Sequence, residues 1–154
     1  MSHALDASRH HADLSVEQAA ELLAVHRLPA QAQDAITHAI AAHSFSLGIE
    51  PRTLEARIVR DADRLDSLGA IGILRWAITG TMRRVPQTRT YDPLDPFAQH
   101  HALDDRRYML DHFYSKLLKL SEGMSTATGR SLAEERTAFM RLYLDEFRKE
   151  LAIL

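Results

Sequence analysis

Leu54-Glu55-Ala56-Arg57-Ile58-Val59-Arg60-Asp61-Ala62-Asp63-Arg64-Leu65-Asp66-Ser67-Leu68-Gly69-Ala70-Ile71-Gly72 decides the reading of this chain. Leu54, Ile58, Ala62, Leu65 and Leu68 recur at helical spacing, and the apolar run continues through Ile71, Ile73, Leu74, Trp76 and Ile78 to Gly80. The pattern predicts one long, largely buried helix from Thr53 to Gly80. Gly69 and Gly72 each cost such a helix about 1 kcal/mol relative to Ala, which points to close packing against a neighbour. At about 100° per residue, Asp61 falls within ~20° of Leu54 on the apolar face, and Asp63 falls opposite with Val59 and Ala70. Neither acid has an obviously solvated position. A bare buried carboxylate costs several kcal/mol, so each calls for a partner, either a metal ion or an Arg such as Arg57, Arg60 or Arg64. Spacing alone leaves both open.

Outward from this segment the chain reads as all-α. Ser15-Val16-Glu17-Gln18 fits a capping box that opens a helix running to about His26. Pro29 interrupts, and Ala32, Ala35, Ile36, Ala39 and Ile40 give a second amphipathic helix ending near His43-Ser44. Residues 81–103 carry three prolines and no sustained period, which predicts an irregular excursion. Helical spacing resumes near Asp104 or Asp105 with Tyr108, Met109, His112, Phe113, Lys116, Leu117 and Leu120. After the break at Gly123 and Gly129, Ser131-Leu132-Ala133-Glu134 repeats the capping signature ahead of a helix bearing Leu132, Phe139, Met140, Tyr143, Phe147 and Leu151.

A length of 154 residues suits one domain, residues 1–154, with residues 1–14 expected as a flexible polar lead-in. At 45% apolar and 26% charged the composition is that of a globular protein, with no apolar run long enough for a membrane span and no secretory signal. The expected location is the cytoplasm. A net charge of −2 gives no electrostatic case for nucleic acid, although Met82-Arg83-Arg84-Val85 is a small basic spot. With no cysteine, only His, Asp and Glu remain as side-chain metal ligands.

Several motifs together resemble one bacterial branch of the HD-domain metal-dependent phosphohydrolases. They are Ala39-Ile40-Ala41-Ala42-His43-Ser44, Ala62-Asp63-Arg64-Leu65, Gly69-Ala70-Ile71-Gly72, Asp95-Pro96-Phe97-Ala98-Gln99-His100, and the Asp111-His112-Phe113 to Lys116-Leu117-Leu118-Lys119-Leu120 segment. The resemblance runs from about His10 to about Arg130. It implies an all-α helical bundle that binds one or two divalent metals (Mn, Mg or Fe) and hydrolyses nucleotides or other phosphate and pyrophosphate compounds. It makes Asp63 the first metal-ligand expectation, with Asp61 second and His43 as an added ligand or an outer group. Lys116 and Lys119, and more weakly Arg75, become the expected phosphate contacts. Each has a plainer reading: a structural ion pair for the acids, a helix-end histidine for His43, solvated charges for the cations. His38 lies about 140° around the helix from His43, so the two should not chelate one ion.

The family's upstream His and His-Asp pair are not reproduced before Ser15; His10-His11-Ala12-Asp13 stands where the family has a connecting segment. The sequence thus looks like the carboxyl-terminal two-thirds of such an enzyme, either begun late or naturally shortened. A catalytically inactive binding module, or a fragment dimerising through exposed apolar surface, is the competing expectation. His100-His101, near Asp95, Asp104 and Asp105, looks metal-like by composition but is read as part of a loop that packs over or rims the pocket.

Overall fold

The computed structural model describes residues 11–44, 47–82 and 85–152. His10, Arg83 and Arg84, on which parts of the sequence reading fall, lie outside the described residues, as do the side chains of His11 and Asp13. Among the described residues there are six α-helices and one 3₁₀ helix, and no strand beyond a single bridge. No described helix is long and apolar enough to cross a membrane. The chain divides between Asp63 and Arg64 into two compact units, each taken by itself below.

In the first unit, α1 (His11–Val25) packs against α2 (Ala30–His43). The described part of α1 already covers His11–Ser15, so Ser15, the expected cap, lies within the helix. The turn between the helices runs through Arg27, whose φ of 50° is left-handed. Pro29 then fixes the entry to α2. Its carbonyl accepts from the N–H groups of Ala32 and Gln33 at 2.9 and 3.1 Å. Helix α3 (Leu54–Leu65) is capped by Thr53, whose hydroxyl accepts from the Ala56 N–H at 3.1 Å. Its buried positions are Ala56 and Asp61. The predicted apolar stripe is not the buried one: Leu54 and Ile58 are more than half exposed.

The second unit opens with the main departure from the sequence reading. The expected continuous helix over Thr53–Gly80 is two helices, α3 and α4 (Gly69–Met82), broken at Asp66–Leu68. Gly69 causes the break. Its φ of +73° is a conformation that side-chain-bearing residues seldom adopt, and a Cβ there would also press on the Arg136 side chain at 3.2 Å. A Cβ on Gly72 would meet the Ser67 carbonyl, so the elbow can fold tightly on itself. The close approach predicted for both glycines therefore exists, made by the elbow as well as by a neighbouring helix. Arg136 donates to the Leu65 carbonyl at 2.7 Å, which also accepts from the Leu68 N–H at 3.1 Å, so two donors hold the end of α3. Helix α4 is not largely buried: Ile71, Leu74, Ile78 and Met82 form an exposed row along one face.

Helix α6 (Ala127–Ala152) forms the backbone of this unit, with α4 and the 3₁₀ helix (Leu117–Gly123) packed on it. Thr126 is the cap, accepting from the Gly129 N–H at 3.0 Å, so Ser131 lies inside the helix and not at its start. Leu68, Leu110, Phe113, Leu117, Leu120, Met124, Ala133, Met140 and Leu144 make the core. Phe139 and Leu132, expected on the apolar stripe, are exposed.

The irregular excursion predicted over 81–103 runs from 85 to 110, starting after α4 and extending past its expected end, and it is firmly pinned. The Arg89 N–H donates to the Arg107 carbonyl at 2.8 Å, Met109 to Arg89 at 2.9 Å, and Leu110 to Thr90 at 2.8 Å. Helix does not resume at Asp104: the Asp104 carboxylate accepts from the backbone of Arg106 and Arg107, holding a turn, and the bridge occupies Tyr108. Helical structure returns only as α5 (Asp111–Ser115), which stops at Lys116, where φ is −136°.

Candidate functional site

A cleft of about 570 Å³ opens within the second unit. Helix α4 supplies Arg75, Trp76 and Thr79 to its wall, the pinned loop supplies Thr88, Asp105, Arg106 and Met109, and α5 with the residue after it supplies His112 and Lys116. Two of the three expected phosphate contacts, Arg75 and Lys116, are thus brought to one cavity. Lys119 is not; it is exposed and does not line the cleft. Arg75 is also paired with Asp66, both about half exposed. Its charge is shared and partly screened, which makes it the weakest of the cations.

Three fixed positive charges, Arg75, Arg106 and Lys116, face one carboxylate, Asp105. Asp105 accepts from His112 Nδ1 at 2.6 Å and from the Ser115 hydroxyl at 3.3 Å. The hydrogen bond from His112 holds the Asp105 carboxyl below its ordinary range; burial opposes this, and the nearby Arg106 charge adds to it. Trp76 is fixed by donating its indole N–H to the Met109 carbonyl at 2.9 Å and by an edge contact with Phe113, ring centroids 4.9 Å apart. The cleft therefore has a rigid aromatic and apolar floor and a cationic rim, an arrangement suited to a phosphorylated ligand. Sequence reasoning missed Asp105, Arg106 and the part played by His112. The four-residue spacing of His112 and Lys116, which puts both on one side of a helical turn, was the available signal.

The expected metal ligands belong to the first unit. Asp61 is buried, whereas Asp63 is exposed, against the expectation that neither acid is solvated; Ala56 and Asp61 define the covered face of α3, and Asp63 projects away from it. His43 is half-buried, and its Nδ1 is engaged by the Ile40 carbonyl one turn back. Among the described residues no group of three or more His, Asp or Glu stands together as a metal site. His43, Asp61 and Asp63 are three in number but are not gathered into the convergent set that a hydrolytic metal requires.

A second titratable cluster lies in the loop. His101 bridges two carboxylates, Nδ1 to Asp95 at 3.0 Å and Nε2 to Asp111 at 2.9 Å. Asp95 also accepts from the N–H groups of Gln99, His100 and His101. Burial would raise the Asp95 pKa, but these donors and the His101 ring outweigh it and take it down to about 2. The loop packs on α6, with Arg148 over the Phe97 ring at 4.3 Å, and its two ends, at Val85 and Thr88 and at Asp105, Arg106 and Met109, rim the cleft. The metal-like appearance of this histidine in the sequence thus corresponds to a structural ion-pair network.

With helices, cleft and acids in place, comparison with known proteins assigns the class. The HD domain family model matches residues 3–68. The chain belongs to the HD-domain phosphohydrolase superfamily, in its all-α fold. Bacillus subtilis YpgQ, an uncharacterised protein, is 33% identical over 144 residues, which are 90% of this chain; the chain spans 62% of the length of that relative. The crystal structure of selenomethionine YpgQ matches with a TM-score of 0.70 and 32% identity, covering 94% of this chain and 70% of the other. YpgQ has also been solved in complex with ADP, at 31% identity and a TM-score of 0.69 over 94% of this chain and 66% of that one. A Bacillus thuringiensis HD-superfamily hydrolase matches at 30% identity and a TM-score of 0.67, over 91% of this chain and 64% of that one.

Proposed function

We propose that the protein is a cytoplasmic phosphohydrolase of the HD superfamily whose ligands are phosphorylated compounds, nucleotides and pyrophosphates first among them, held by phosphate in the cleft of the second unit. The observation that carries this is the convergence of Arg75, Arg106 and Lys116 on one cavity with an ordered aromatic floor. The ADP complex of YpgQ supports the nucleotide class. ADP titrated into the protein should bind, and Arg106→Ala and Lys116→Ala should each weaken it by roughly tenfold, the value of one charge-assisted hydrogen bond. Unchanged affinity in both variants would remove the cleft from consideration.

Asp63 is this chain's foremost contribution to the divalent metal of the family, because an exposed carboxylate can reach an ion that Asp61 and His43 cannot reach without giving up present contacts. Any Mn²⁺ binding that calorimetric titration shows should therefore be abolished by Asp63→Ala while stability stays within about 0.5 kcal/mol. Asp61→Ala, by contrast, should cost about 3 kcal/mol, since it empties a buried charged position. Stoichiometric Mn²⁺ on folded Asp63→Ala would end the assignment.

A further inference from the structure

The cleft contains one cation that is not permanent. Asp105 accepts from His112 Nδ1 at 2.6 Å and is itself steadied by the Ser115 hydroxyl, so the imidazole is held in one orientation. Among the described residues Nε2 has no hydrogen-bond partner, and the ring lines the cleft together with Arg75, Arg106 and Lys116. Two protonation states then present opposite faces to a ligand. A neutral ring that gives its Nδ1 hydrogen to Asp105 shows a lone pair at Nε2, which a phosphate oxygen avoids; an imidazolium shows a second N–H, which a phosphate oxygen accepts.

Resting on the reading of this cleft as a phosphate site, we propose that His112 is a proton-dependent phosphate contact and Asp105 its positioning residue, so that a phosphorylated ligand is bound together with a proton. The charged groups around the ring fit this role. Asp105 meets the ring at Nδ1, and Arg75, Arg106 and Lys116 line the same cleft. An arriving phosphate offsets those three positive charges, so ligand binding and protonation of His112 help each other. Affinity follows pH as a consequence of the cleft itself, with the strongest binding on the acid side of neutrality.

The test is calorimetry with ADP as the probe, on the whole chain, at pH 6 and pH 8 and in two buffers of different ionisation heat. The wild-type affinity should fall between these pH values by roughly tenfold more than that of His112→Gln, the loss of one charge-assisted contact. Binding should take up protons in the wild type and not in His112→Gln, which also corrects for ionisation of ADP itself. Asp105→Asn, which can still accept from Nδ1 but carries no charge, should move the midpoint of the affinity profile to lower pH; a merely structural role would leave that midpoint in place. Equal pH dependence in wild type and His112→Gln overturns the proposal, even where Arg106→Ala shows that the cleft binds ADP. No ADP binding at any pH overturns the cleft reading and this inference with it. Should His112→Gln fail to fold, His112→Asn takes its place as the reference, and proton uptake equal to that of the wild type in this variant overturns the proposal.

Discussion

Phe113→Ala is expected to lower the stability of the protein by about 3–5 kcal/mol, a large share of what a domain of this size possesses. Phe113 is fully buried in the middle of α5. It meets the Trp76 ring edge-on and lies near-parallel to Tyr143, with centroids 6.1 Å apart. Three elements, α4, α5 and α6, therefore lean on one side chain, and a short helix such as α5 has little of its own stability with which to absorb the cavity. Trp76 lies in the floor of the cleft, so ADP affinity should decline as well. Phe113→Leu, which restores most of the volume, should recover the greater part of both losses. A denaturation midpoint for Phe113→Ala close to that of the wild type would mean that the core lies elsewhere.

The second large effect concerns Asp111, buried completely and accepting from His101 Nε2 and from the Asp104 N–H at 2.8 Å. Asp111→Ala leaves the His101 ring and the Asp104 N–H without their buried acceptor and breaks a charge pair, with an expected cost of about 3 kcal/mol. The pH dependence is more telling. The hydrogen bond to Asp111 raises the His101 pKa above its ordinary value of 6.5, burial works against it, and the Asp111 and Asp95 charges add to it. A folded value above the unfolded one means that this contribution is complete below about pH 6.5 and is lost as pH rises through the raised value. Asp95 behaves in the opposite sense: lowered from 3.8 to about 2, its contribution is present above the ordinary value and fades only as pH falls towards 2. The loop should accordingly be firmest in mildly acid solution and weaken on the alkaline side. Denaturation at pH 6 and pH 8.5 should show a smaller difference in Asp111→Asn than in the wild type. An undiminished difference would separate His101 from the effect.

The class of fold was legible because apolar spacing and the Pro and Gly breaks are local signals, and α2 ends where its pattern ends. The elbow at Gly69 was not, since a glycine within an apolar run reads equally as close packing or as a left-handed turn, and only the partners Ser67 and Arg136 distinguish them. The cap at Thr126 was missed for a similar reason. Ser131 with Glu134 is a capping signature wherever it falls, and the chain had already entered helix four residues earlier. Of the site, Lys116 and Arg75 could be named from their motif or place, but Asp105 reaches His112 through a turn set by Asp104, and no periodicity announces such a pairing. Asp61 and Asp63 show the limit most plainly: angular position around a helix fixed their separation, yet which face is covered depended on what else folds against it.

The pinning of residues 85–110 also bears on how freely this family can vary. A loop free at both flanks accepts insertions cheaply, because closing a slightly longer loop adds little entropy. Here Arg89 and Thr90 are held residue for residue against Arg107, Met109 and Leu110, and Thr88 Oγ1 is held to the Arg106 carbonyl. Lengthening the chain between those anchors is permissible only where the loop bows outward; a single residue added at either anchor would shift Arg106 and Asp105 relative to His112. The segment that looks least regular in this protein is thus among those whose length descent can least afford to change.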